Sequence, residues 1–150
     1  MVMAVIQRCL RVVLWLFMAV MLQGCPKQMV VSFLNNSGVD LVIRLTDGFE
    51  PWPHGVVWST QGRIDRMRWV QDERTGGTVP VLDVVKGVEV RSYQLSVFPL
   101  PNEYLSNGGK SVAHLQLESD GFLYAVKAVQ LQSAPVTQPQ PSRFPLKPLG

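Results

Sequence analysis

Chemistry in this chain would have to come from few side chains, because the residue types that most often perform it are sparse. The two histidines, His54 and His114, stand 60 residues apart, the first beside Gly55 in a proline-rich stretch and the second among polar positions of an alternating one. A zinc centre asks for several ligands at short spacing, and nucleophilic catalysis for a Ser or Cys with an oriented base. Neither arrangement is written here, and the G-x-S-x-G, H-E-x-x-H, phosphate-loop and calcium-loop spacings are missing. Six acids, Asp40, Asp47, Glu50, Asp65, Asp72 and Glu73, fall in turns and on polar strand positions, where solvation accounts for them without a glycosidase pair. The expectation is a non-enzyme with no catalytic residues, no cofactor and no metal.

Binding chemistry is better represented. Trp52, between Pro51 and Pro53, has two readings: a rigid exposed aromatic that anchors a partner or a glycan, or a cap on one end of the core. Trp58 and Trp69 alternate with polar neighbours and read as core. Arg63, Arg66 and Arg68 form the densest basic group, but Asp65, Asp72 and Glu73 lie beside them, as on a solvated strand face. The pI of about 9.1 is therefore no nucleic-acid footprint.

At the N-terminus, residues 1–7 carry no acid, and Arg8 and Arg11 precede an unbroken apolar run of 11 residues, 12–22. That run is short of the about 20 residues a spanning helix needs. Charged start, apolar run and small closing residues together are the plan of a secretory signal peptide. The closing residues Leu22-Gln23-Gly24-Cys25 resemble the lipobox of bacterial lipoproteins: a Leu three before the cysteine, a variable residue, a small residue, then the cysteine. The resemblance covers about the first 25 residues. It implies a diacylglycerol thioether on Cys25, cleavage before Cys25 by the lipoprotein signal peptidase, with Leu22, Gln23 and Gly24 as its recognition residues, and acylation of the new amino terminus. Membrane lipid is then a partner through Cys25, at a periplasm-facing leaflet of the bacterial envelope, the outer membrane favoured over the inner. Pro26, directly after the cysteine, departs from the commoner small polar residue and leaves the choice of membrane open. Two or three acyl chains make such attachment stable, at roughly 0.8 kcal/mol per buried methylene.

Cleavage leaves 126 residues, and losing Arg8 and Arg11 takes 14 basic residues to 12 against 11 acids, a net charge of +1. Cys9 departs with the leader and Cys25 is consumed by lipid, so the body has no disulfide and rests on its hydrophobic core. Composition permits one: 47% hydrophobic against 17% charged is too apolar for a disordered chain.

Residues 25–28 form a short tether, and residues 29–131 alternate in period two between turn signals, which predicts an all-β, antiparallel β-sandwich of about seven or eight strands. Residues 29–34 and 39–45, around Asn35-Asn36-Ser37-Gly38, predict a hairpin. Asp47-Gly48 and Pro51-Trp52-Pro53 predict a loop. Residues 56–59 pair with 63–70, and 78–85 with 88–98, the latter carrying a bulge near Arg91 and Ser92 that reconciles a slip of phase. Residues 110–118 alternate cleanly, and the Ser119-Asp120-Gly121 turn leads into a last strand at 122–131. The tail, 132–150, holds five of the 11 prolines and predicts either an extended polyproline II course or disorder. Its Phe144, Leu146 and Leu149 either pack back on the sandwich or present a ligand, with Phe144 as a candidate partner contact. The functional expectation is a membrane-anchored, non-catalytic protein-interaction or accessory module of the envelope, with an unidentified protein partner and no nucleic acid. The alternative is a module for cell-wall glycan or a small ligand, with Trp52 as its platform.

Overall fold

A computed structural model describes residues 30–95, 100–106, 112–127 and 135–150. Leu22, Gln23, Gly24 and Cys25 lie outside the described residues, as do Val97, Phe98, the Asn107-Gly108-Gly109 break and residues 128–131. The described residues form ten strands: β1 (Val30–Asn36), β2 (Leu41–Leu45), β3 (Gly48–Trp52), β4 (Val57–Ser59), β5 (Arg68–Gln71), β6 (Thr78–Lys86), β7 (Glu89–Gln94), β8 (Leu105–Ser106), β9 (Val112–Glu118) and β10 (Leu123–Ala125). Only two 3-10 turns, Ile64–Arg66 and Asn102–Tyr104, interrupt the β-structure. Among these residues no helix is long and apolar enough to cross a membrane.

The strands lie in two sheets, as an all-β sandwich requires. The first runs β10-β9-β1-β4 with β8 also on β9, and the second runs β3-β2-β6-β5 with β7 also on β6. Alternate residues of both sheets meet in one core: Val31 and Phe33 of β1, Ile43 of β2, Trp52 of β3, Leu82 of β6, Tyr93 of β7 and Leu115 of β9. Phe33 is central, its ring edge-on to Trp52 at 6.4 Å and tilted on Trp58 at 5.9 Å. Enclosing a side chain of this size contributes roughly 1.5–3 kcal/mol.

The layers hold, but several connections differ from the expectation. β1 and β2 form no hairpin: β1 pairs with β4 and, in parallel, with β9, whereas β2 pairs with β3 and β6. The chain crosses between sheets because Asn35 turns inward there, its Nδ2 donating to Trp52 O at 2.7 Å and Val39 O at 2.9 Å while its Oδ1 accepts from Ser37 N and Oγ. Its backbone is committed as well, Asn35 N donating to Val56 O at 3.2 Å and Asn35 O accepting from Gly55 N at 2.7 Å, so the chain arches there instead of pairing back on β2. β4 and β5 likewise sit in different sheets. The proline-flanked stretch expected as loop contributes β3, because an edge strand can aim the nitrogen of Pro51 away from the ladder. No bulge marks Arg91 and Ser92: pairing of β6 with β7 is continuous from Lys86↔Glu89 to Val81↔Gln94. The slip of phase dissolves since Val88 is in the turn, fully exposed, and Val90 points to the outer face. The β6–β7 hairpin and the strand after Ser119-Asp120-Gly121, β10, match the expectation.

The tail packs back. Residues 135–150 cross from one sheet to the other: Ala125 N donates to Gln140 Oε1 at 2.8 Å, Leu146 and Leu123 exchange backbone bonds at 2.8 and 3.0 Å, and Leu149 N donates to Ser92 O at 2.8 Å. Tyr104 Oη donates to Pro139 O at 3.0 Å. The free edge of β10 is thereby covered, which removes a template for edge-to-edge association.

Candidate functional site

The two aromatics nominated as ligand contacts are enclosed. Trp52 is 0% exposed, its indole Nε1 donating to Val56 O at 2.8 Å, so of its two readings the cap on the core is the one seen. Phe144 is 9% exposed within the core cluster, held there by the packed-back tail, residues 135–150, which forms a strap over the sheets. Trp69, expected in the core, is 46% exposed on β5, the edge strand of the second sheet. His54 is exposed and its Nδ1 accepts from Gly38 N at 3.3 Å. His114 does not lie on a solvated face: it is 9% exposed, and neither ring nitrogen has a hydrogen-bond partner among the described residues. Burial holds its pKa below the ordinary histidine range.

The acids resolve into clasps. Glu50 accepts from Trp58 Nε1 at 2.7 Å and from Arg66 Nη1 at 2.8 Å, and pairs with Arg63 Nε at 2.9 Å; Arg66 Nε reaches Asp47 at 2.8 Å. The indole bond from Trp58, with Arg63 and Arg66 beside it and burial opposing, holds Glu50 below the usual carboxylate range, and the bond from Arg66 does so for Asp47. A glycosidase needs one carboxylic acid raised to hold a proton near neutrality. Two carboxylates both held ionised, Glu50 by the Trp58 indole and two arginines and Asp47 by Arg66, are a structural tie, the Trp58–Glu50 bond joining β3 to β4 across the sheets. Asp72, expected in solvent, is buried and closes the β5–β6 turn by accepting from Arg74 N at 3.1 Å and Thr75 Oγ1 at 3.1 Å. Among the described residues no group of three or more His, Cys, Asp or Glu is placed to hold a metal ion.

The feature with binding character is the outer face of the second sheet, which sequence reasoning passed over. Cross-strand partners share a face, so Pro51↔Val42, Val42↔Val85 and Val85↔Val90 make one apolar row across β3, β2, β6 and β7. Four strands put it at about 14 Å across. Pro51 and Val90 are exposed, and Val42 and Val85 half-buried. The next row is Phe49, Arg44, Asp83 and Ser92, with Phe49 65% exposed beside Arg44.

Asp83 organises that row. Its side chain is 2% exposed and accepts from Arg68 Nη2 at 2.8 Å and Nε at 3.0 Å, from Arg44 Nη2 at 3.1 Å and from Ser92 Oγ at 2.6 Å. Burial works to raise its pKa and is outweighed by the bonds from Arg68, Ser92 and Arg44, so it stays ionised, below the usual range. Two guanidinium groups share one carboxylate, leaving one net positive charge beside an apolar strip. The available signals were an acid inside the run Val79-Pro80-Val81-Leu82-Asp83-Val84-Val85 and a Phe at a polar-phase position of an edge strand.

A second concavity lies between the sheets at the end where β1 finishes. It holds about 70 Å³ over Leu41, Val84 and Leu117, with Lys86 and Arg91 at its mouth, room for little more than one aliphatic group. No family model matches the chain, and neither a curated protein nor a solved structure does.

Proposed function

We propose that this protein is a membrane-anchored periplasmic lipoprotein that acts as a non-catalytic protein-interaction module of the cell envelope, tethered through Cys25, with the strip around Phe49 as its contact surface. The observation that carries the interaction half is the Phe49–Pro51–Val42–Val85–Val90 surface, left open over a sandwich whose strap and ion-pair clasps are otherwise closed on themselves. An open apolar patch rimmed by charge is the usual mark of a docking site. The partner that fits is a protein surface with an apolar ridge and an acidic group facing Arg44 and Arg68. The anchoring half is supported by the leader and by Leu22-Gln23-Gly24-Cys25. Glycan binding lost its platform when Trp52 turned out to be enclosed.

Photo-cross-linking in the native envelope, from a probe at Val90, tests the reading. One specific protein adduct is expected, reduced at least tenfold by Phe49→Asp, a change at an exposed edge position that alters stability by no more than about 0.5 kcal/mol. An adduct unchanged by Phe49→Asp, or none, counts against the strip. Cys25→Ser should release the protein from the membrane fraction; continued sedimentation with membranes counts against the anchor.

A further inference from the structure

We propose that the end of the sandwich at which β1 begins is a membrane-apposition surface, with the exposed edge of Trp69 seated in the interfacial zone of the leaflet that holds the anchor. The inference rests on the anchoring reading above and adds an orientation to it.

Chain length places this end near the lipid. Five Cα steps separate Cys25 from Val30, a span of at most about 17 Å when fully extended. A chain of short contacts then leads from β1 to Trp69. Val31 N donates to Thr60 Oγ1 at 2.9 Å and Thr60 N to Val31 O at 2.9 Å; Arg63 N donates to Thr60 O at 2.9 Å; and Trp69 Nε1 donates to Ile64 O at 3.2 Å. Trp69 is therefore joined to the start of the tethered strand by three hydrogen-bonded contacts and the Arg63–Ile64 peptide bond.

The side chain suits a lipid–water boundary. Of the tryptophans that remain after cleavage, Trp52 and Trp58 are buried and Trp69 is open. Its indole N–H is already spent on Ile64 O, so what it offers outward is hydrocarbon. Aromatic rings with one satisfied polar edge settle at the headgroup level of bilayers. Ile64, half-buried, lies beside it, and Gln61, Gly62 and Asp65 are exposed in the same segment. Arg63 and Arg66 are tied to Glu50 and Asp47, so the attraction is apolar and should be insensitive to salt. The opposite end, with Val88 in the β6–β7 turn, points away from the leaflet.

The test uses the acylated mature protein reconstituted into phosphatidylethanolamine–phosphatidylglycerol vesicles with brominated acyl chains. The Trp69 contribution is the difference between wild type and Trp69→Phe, and is expected to be quenched at least twofold relative to unbrominated vesicles, equally at low and high salt. A reporter that leaves Trp69 intact is a nitroxide on Gln61→Cys, expected to collide with oxygen more than with an aqueous nickel chelate, whereas one on Val88→Cys shows the reverse. Protein that floats with the vesicles while Trp69 stays unquenched and both nitroxides read as aqueous overturns the apposition and leaves the anchor standing. Protein that does not float overturns the anchor, and the apposition with it. Shielding of Trp69 by soluble muropeptides, with no quenching by brominated lipid, overturns it in favour of a glycan surface.

Discussion

Asp83 shows how much one side chain can do on a sheet face. It is the group that holds Arg44 and Arg68 flat beside the apolar row instead of extended into water, and it takes a hydroxyl bond from Ser92 on the neighbouring strand. Removing it leaves two guanidinium groups that are each more than a third exposed and free to turn outward, so the loss is that of the bonds and not of a stranded buried charge. Asp83→Ala should destabilise by roughly 1.5–3 kcal/mol, the range for hydrogen bonds to charged groups, read as a lower urea midpoint at unchanged slope. It should also weaken the Phe49-dependent adduct, since Arg44 is no longer held beside Phe49. Asp83→Asn, which keeps shape and two of the contacts, should recover part of both; equal loss in the two variants would mean that charge alone matters.

Among the elements, the strap is the one whose removal is informative. Residues 135–150 contribute Phe144 to the core and the bonds that cover β10, and they end on β7 at Ser92. Phe144→Ala should cost about 3 kcal/mol, the low end for a buried aromatic, because a loosened strap can detach and cap the loss. Limited proteolysis should then cut within 135–150 well before the sandwich unfolds; simultaneous loss of both would show that strap and sandwich are one cooperative unit. This element also marks what the sequence made legible. Period-two alternation located most strands, and Ser119-Asp120-Gly121 and Lys86-Gly87 located two turns, because turn chemistry is local. Pairing partners were not legible: whether the turn after Asn35 folds back or arches across depends on an inward amide bond to Trp52 O, 17 residues away. Burial was misread at Trp69 and His114, where an alternating pattern says which face a residue takes but not what covers that face, and at Asp72, which its turn-closing bonds draw inward.

At the scale of the whole molecule, the pH response gathers these local arrangements into one curve. Asp83, Glu50 and Asp47 all have folded-state pKa values below their ordinary 3.8, 4.5 and 3.8, so the stability they contribute is present above those values and is lost as pH falls through the folded ones. His114 acts earlier. Burial, with no partner for its ring among the described residues, favours the neutral form in the folded state, so its folded pKa lies below 6.5 while the unfolded chain titrates near 6.5. Between these two values the unfolded state binds more protons, and stability must decline as pH drops. The urea midpoint of the mature domain should therefore hold steady from pH 8 to 7, decline gradually below about 6.5, and decline again below about 4.5. His114→Met, apolar and of similar bulk, should flatten the first decline and leave the second, and comparison of the two proteins cancels every other titrating group. A wild-type midpoint unchanged between pH 7 and 5 would mean that the imidazole finds water or a partner in the folded state. An intact second decline in Asp83→Asn would assign the acid limb to the Glu50 and Asp47 clasps, which join the sheets, instead of to the face beside the apolar row.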